Sequence, residues 1–310
     1  MAKKPTIDEL KAKYKDTVQW PADPNTPGLE RRLAQRDAFD QHFAATSLGF
    51  MTQAMSRPGF DDRTRLLILI SMFTAGRAPE YLEEVLRVAL TGVVAPRDAL
   101  EAIQNSLVYV GDIGFSPALD ALEKVANDLG VMDEFAKGQL PMNSREDQRD
   151  LAEERKSWPQ DVLDDPLLKP LLERYPWQGI STGIRFRGTH HLRILKHWDE
   201  LDEHYAMLWE TFAYRNTYSR DVLDGRMRIL CTVGALVAVN APPSAKEHIK
   251  SGLKEGVTPR EFLELIVMTG VYFGFPRQTI FLRVLEETVG EAGRMDELGS
   301  PDAHPYDTKK

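Results

Sequence analysis

The chain has 310 residues, with 39 Lys and Arg against 47 Asp and Glu, for a net charge of −8. The acidic balance leaves no basic excess to neutralise phosphates, which argues against nucleic acid as a partner, and no apolar run reaches the roughly 20 residues that cross a bilayer. One cysteine, Cys231, excludes intramolecular disulfides, dithiol redox chemistry and a Cys-rich zinc site.

The N-terminal segment MAKKPTIDELKAKYKD is charged and has no apolar signal core. With the single cysteine it points to a reducing cytoplasm. Residues 30–55 mix charged and apolar positions at three- and four-residue spacing, as an amphipathic helix requires. LLILISMFTAG (66–76) is a short apolar stretch, ambiguous between buried strand and buried helix; its helical flanks favour helix. Residues 137–188 form a linker, polar at first and then SWPQDVLDDPLLKPLLERYPWQG. Its prolines and aromatic anchors suggest an irregular surface strap. Residues 190–218 are again amphipathic, and ILCTVGALVAVN (229–240) is again apolar. Thr258, Pro259 and Glu261 read as N-cap, first helical residue and capping-box acid. The tail 298–310 is polar and predicted to fray. No stretch shows the period-two alternation of an antiparallel sheet, so the fold class is all-α.

The chain repeats itself at an offset of 163 residues. SRPGFDDRTR (56–65) matches SRDVLDGRMR (219–228), VALTGVVAPRDALEAI (88–103) matches SGLKEGVTPREFLELI (251–266), and Val108-Tyr109-Val110-Gly111 matches Val271-Tyr272-Phe273-Gly274. Asp40-Gln41-His42-Phe43 resembles Asp202-Glu203-His204-Tyr205. Two copies of one helical unit, about 30–130 and 190–292, are expected. The domains are then 1–136, a first unit with an N-terminal extension; 137–188, the strap; and 189–310, a second unit with a polar tail.

The string SRPGFDDRTR, then TAGR, then an acidic helix and VYVG resembles the carboxymuconolactone decarboxylase family, and VYFGFP at 271–276 repeats the pattern. The resemblance implies an all-helical alkylhydroperoxidase D-like fold, present here in tandem. It covers both units but neither the linker nor the termini. The peroxidase branch carries CxxCxxxH with an upstream glutamate. Aligned on His248, this chain has Ala241 and Ser244 at the cysteine positions and Ile229 at the glutamate position. A dithiol relay needs two thiols, so peroxidase chemistry is excluded. The decarboxylase branch usually shows Gly-Arg-x-x-Glu-x-x-x-His. The first unit keeps Gly76, Arg77 and Glu80 but has Glu84 at the histidine position; the second keeps His248 and loses the arginine and the acid.

From these residues the resemblance implies catalytic roles for His248, Glu80 and Glu84. Arg77 would anchor an anion, and Tyr109, Tyr272 and His204 would edge the pocket. Histidine suits the work because its ordinary pKa lies near neutrality. The bland alternatives are an exposed helical histidine, solvated ion pairs for Arg77, Glu80 and Glu84, and core aromatics for the two tyrosines. Arg57, Arg63, Arg65, Arg220, Arg226 and Arg228 recur in both units and are expected to cap loops or pair with Asp61 and Asp224. His190, His197 and His204 share a helical stripe but stand about 10 Å apart, too far for one metal without a partner helix. No metal and no cofactor is expected.

The activity implied is decarboxylation of a small lactone or carbonyl-bearing organic acid in aromatic-compound catabolism. A related lactone hydrolase, isomerase or cyclase, or a catalytically silent oligomeric binding protein, stands as the alternative. The expected partners are that organic acid or lactone and further copies of the chain in a homo-oligomer, a trimer or dimer, with no membrane and no nucleic acid.

Overall fold

A computed structural model describes residues 6–13, 15, 29–137 and 150–298. The expected frayed tail lies outside them from residue 299 onward. The described residues contain helices and no strand. In chain order the helices are α1 (Ile7–Lys13), α2 (Leu29–Phe39), α3 (Gln41–Met55), α4 (Asp62–Ala75), α5 (Pro79–Val88), α6 (Pro96–Leu129), α7 (Leu151–Glu154), α8 (Gln160–Leu163), α9 (Leu168–Arg174), α10 (Trp177–Arg187), α11 (Thr189–Leu201), α12 (Glu203–Trp209), α13 (Gly225–Ala238), α14 (Pro242–Lys254), α15 (Pro259–Phe273) and α16 (Phe275–Glu291). A π-helical stretch, Glu210–Tyr218, continues α12.

The two ambiguous apolar stretches are helices, α4 and α13, and they pack against each other at the centre of the molecule. Both are buried on nearly every side, which is why their sequences show almost no polar face. Gly234 permits the close approach: a Cβ there would lie 3.1–3.2 Å from Met72 and Ile68. Each helix starts at an aspartate that accepts a backbone N–H, Asp61 from Thr64 at 2.7 Å and Asp224 from Met227 at 2.7 Å. Such caps satisfy donors left open by the first turn.

The 163-residue offset recurs in the geometry. After α4 and α13 the backbone turns through left-handed residues, Arg77 (φ 53°) and Asn240 (φ 57°), and α5 and α14 then start on prolines. Gly111 (φ 60°) breaks α6 where Gly274 (φ 84°) separates α15 from α16. Arg63 pairs with Asp98 at 2.8 Å, and Arg226 pairs with Glu261. Two further pairs with buried acids cross over between the halves: Arg57 holds Glu264 at 2.5 Å, and Arg220 holds Glu101 at 2.9 Å.

Three expectations are corrected. The repeated arginines do not take Asp61 and Asp224 as hydrogen-bonded partners, because those aspartates are committed to helix caps; the partners are acids on α6 and α15, with Arg65 holding Asp62 and the carbonyls of Arg57 and Phe60. The long amphipathic stretches are each broken once, at Asp40 and Asp202, whose side chains cap α3 and α12. The strap is helical, not irregular, over residues 151–187. Its prolines stand at helix starts and turns, and Trp158, Val162, Leu168, Leu171, Tyr175, Ile180 and Ile184 bury a second apolar cluster with α11.

Candidate functional site

Helix α14 carries His248, 2% exposed, on the face it turns into the molecule. Three elements meet it there. Helix α6 brings Tyr109, whose hydroxyl lies 3.2 Å from His248 Nε2. The C-terminal turn of α10 brings Arg187, whose Nη2 donates to the same nitrogen at 3.1 Å. The π-helix brings Tyr218, in hydrogen-bond contact with the Tyr109 hydroxyl, and Tyr214, its ring tilted against that of Tyr218 at 5.4 Å.

A guanidinium only donates, so Nε2 must present its lone pair and the neutral ring carries its hydrogen on Nδ1. Burial, helped by the Arg187 charge, holds the imidazole well below the ordinary histidine pKa. Burial also raises the pKa of Tyr109, while the Tyr218 and Thr232 hydroxyls and the Arg187 charge pull it back. Tyr218 is raised further, by burial first and then by its phenolic neighbours. At neutral pH the cluster is thus one cation, one neutral imidazole and three phenols. Two of its buried nitrogens, Arg187 Nε and His248 Nδ1, have no hydrogen-bond partner among the described residues. A buried donor left unpaired costs about 1–3 kcal/mol, and both nitrogens would be satisfied by an acceptor.

The placement of Arg187 depends on how α10 docks. Gly183 and Gly179 face the π-helix across His191 and Glu210, a wholly buried pair 3.2 Å apart. A Cβ on Gly183 would come within 2.2 Å of the His191 ring, and one on Gly179 within 2.6 Å of Glu210. The glycines let the strap helix approach closely enough to bring its terminal arginine to His248.

The other expected residues form a different group. Tyr272 packs edge-on to Phe73 at 4.8 Å and to Tyr81 at 5.9 Å. Burial pushes its phenol well up, aided by the nearby Tyr81 and Glu84. Glu84 is half-buried there, Glu80 and Arg77 are exposed, and His204 is exposed on α12. His248 and Tyr109 are therefore brought together, and Glu84 and Tyr272 are brought together as a second group. Val85 occupies the offset position of His248. Among the described residues no group of three or more His, Cys, Asp or Glu could hold a metal ion. Cys231 is wholly buried, its thiol pushed up to about 11 by burial.

Sequence reasoning missed Arg187, Tyr214 and Tyr218. Arg187 lies in the strap, outside the repeat, and had no counterpart to flag it. Tyr218 directly precedes the repeated Ser219-Arg220, but its counterpart at the offset is Met55, so comparing the copies hides it.

The features so far define a helical protein with a thiol-free acid–base cluster buried among α6, α10, α14 and the π-helix. Residues 203–287, which hold Tyr214, Tyr218 and His248, match the model of the carboxymuconolactone decarboxylase family. It is similar to a 4-carboxymuconolactone decarboxylase of Acinetobacter baylyi, 26% identical over 131 residues that span 42% of this chain and 97% of that protein. It is also similar to an uncharacterized 15.0 kDa protein of Paracoccus denitrificans, 28% identical over 80 residues, 25% of this chain and 60% of that protein. No described helix is long and apolar enough to cross a membrane.

Proposed function

We propose that the protein is a cofactor-independent carboxy-lyase for a small lactone or carbonyl-bearing organic acid of the kind met in aromatic-compound breakdown. The observation that carries this reading is the His248–Arg187–Tyr109 cluster, with its two buried unpartnered donors. The family match and the name of the Acinetobacter relative support it.

Loss of carbon dioxide leaves an electron pair behind, and a conjugated carbonyl in the substrate can take it up as an enolate. The protein must stabilise that oxyanion and return one proton to carbon. A cation fixed in a buried site stabilises the developing charge more than one in water, because the surroundings screen it less and need not reorganise. Arg187 is a cation of this kind, and it steadies the phenolate that proton transfer leaves on Tyr109. The neutral His248 fixes the guanidinium by accepting its N–H. Tyr109 supplies the proton, and the phenolate left behind sits in the field of Arg187 until water restores it. Histidine is then an acceptor, not the proton donor that family resemblance alone suggests. Glu84 and Tyr272 take no step in this reading.

The test is carbon dioxide release from a panel of lactone acids and β-keto acids. His248→Ala should lower the rate of the best substrate by about 100-fold with an unchanged circular dichroism spectrum. A fully active His248→Ala variant would remove the imidazole from the chemistry. We also read the repeated geometry as a fused pair of ancestral units, and the chain as a cyclic homo-oligomer; light scattering that gave the mass of one chain would refute the oligomer.

A further inference from the structure

A cavity of about 500 Å³ opens between α10 of the strap and the segment that joins the π-helix to α13. Four arginines share its wall: Arg63, Arg185, Arg220 and Arg228. Ser181 and Thr182 of α10 face it too, as does Tyr218. We propose that this cavity is the chamber in which the organic acid binds, and that Tyr218 is the phenol that meets it and links it to Tyr109 and His248. The proposal rests on the carboxy-lyase reading and adds the place of the substrate and the residue that protonates it.

Three observations carry it. His248 is too deeply buried to be met directly, yet Tyr218 both borders the cavity and touches the Tyr109 hydroxyl, so a chain of two phenols spans the gap. Second, one guanidinium of the wall is incompletely paired. Arg57 clasps Glu264 with both Nε and Nη2, at 2.5 and 2.8 Å. At the offset position Arg220 reaches Glu101 through Nε alone, and the buried Arg228 holds the same carboxylate at 3.0 Å. Arg220 Nη2 is consequently buried without a partner among the described residues. Third, the acids that line the cavity are engaged: Asp224 caps α13, and Glu154 accepts the Ser181 hydroxyl at 2.5 Å. Asp221 is exposed at the rim.

The proton step balances. The carbon–carbon bond to the carboxylate breaks, carbon dioxide leaves, and the electron pair enters the conjugated carbonyl as an enolate. The Tyr218 hydroxyl gives its proton to the enolate carbon and takes the Tyr109 proton in turn. The Tyr109 phenolate, beside Arg187, is reprotonated from water. Because the Arg187 N–H already occupies the His248 Nε2 lone pair, the Tyr109 hydroxyl hydrogen is free to turn toward Tyr218 for this transfer.

Trp158 donates its indole N–H to Ser181 at the cavity wall, 3.3 Å away, and so reports on occupancy. The probe is levulinate, a keto acid that does not lose carbon dioxide under assay conditions. Levulinate should change tryptophan emission saturably, and Trp158→Phe should abolish that signal. Thr182→Phe, which fills the cavity from α10, should weaken levulinate binding and raise KM at least tenfold. Tyr218→Phe should lower kcat by about 100-fold with little change in KM. Full activity and levulinate binding in Thr182→Phe, or an unchanged kcat in Tyr218→Phe, would overturn the proposal while leaving the carboxy-lyase reading in place. Levulinate binding that Thr182→Phe abolishes, in a protein that releases carbon dioxide from no acid of the panel, would support the chamber and sink the reaction.

Discussion

His248 is the residue on which sequence and structure disagree most usefully. On the sequence it is a helical histidine with an ordinary pKa near neutrality. In place it is buried beside Arg187, and both burial and that charge hold it well below the ordinary value. This has a consequence for stability. Below about pH 6.5 the unfolded chain takes up a proton on His248 that the native chain refuses, so stability is lost as pH falls through that point and onward to the lowered native pKa. His248→Gln removes this contribution. Its denaturation midpoint should fall less between pH 7 and pH 5 than the parent's; parallel pH profiles would show that the imidazole is not depressed. Arg77 poses a separate test at the same scale. An exposed L-residue with φ of 53° carries a left-handed backbone, which costs about 1–2 kcal/mol, and Asn240 is the residue type that tolerates it. Arg77→Asn should raise the unfolding free energy by up to about 1 kcal/mol, read from urea titration. If the variant instead raises KM for the acid, Arg77 anchors substrate as the family resemblance implies.

Elements were legible where one local rule decided them. The Thr258–Pro259–Glu261 start of α15 is a complete capping box, and the glycines after the two VY-x motifs do break the helices, with φ of 60° and 84°. The apolar stretches at α4 and α13 could be read as helix from their surroundings, although their own periodicity is nearly silent, because a helix buried all round has no polar face to reveal its phase. The strap was not legible. Its prolines suggested irregularity, whereas they start or bound short helices whose apolar residues form a cluster of their own. The missed arginine follows from that: Arg187 reaches His248 only because Gly179 and Gly183 allow α10 to lie against the buried His191–Glu210 pair. This makes the docking of α10 testable. Gly183→Ala must displace the His191 ring or the helix. It should cost about 1–3 kcal/mol as overpacking, and it should lower kcat more than a surface Gly→Ala change of equal stability cost. An unchanged rate in a destabilised Gly183→Ala protein would separate the strap helix from the chemistry.

For the whole molecule, the two halves share one core and exchange buried charges. Glu101 is wholly inaccessible and receives Arg220 and Arg228 from the other half, and Glu264, 4% exposed, receives Arg57 in return. Burying such groups is costly, and their pairing must offset the desolvation. A partner removed from one half therefore strands a charge in the other. Glu101→Gln leaves Arg228 buried without its counter-ion and should cost about 3–5 kcal/mol. Because α4 of one half and α13 of the other form the centre together, the loss should not appear as the melting of the first half alone. Unfolding followed by far-ultraviolet circular dichroism and by the emission of Trp209, in the second half, should shift together in Glu101→Gln. Two separated transitions, with the tryptophan signal left at the parent midpoint, would mean that the halves fold independently and that their crossed ion pairs are ornaments of a docked surface, not parts of one core.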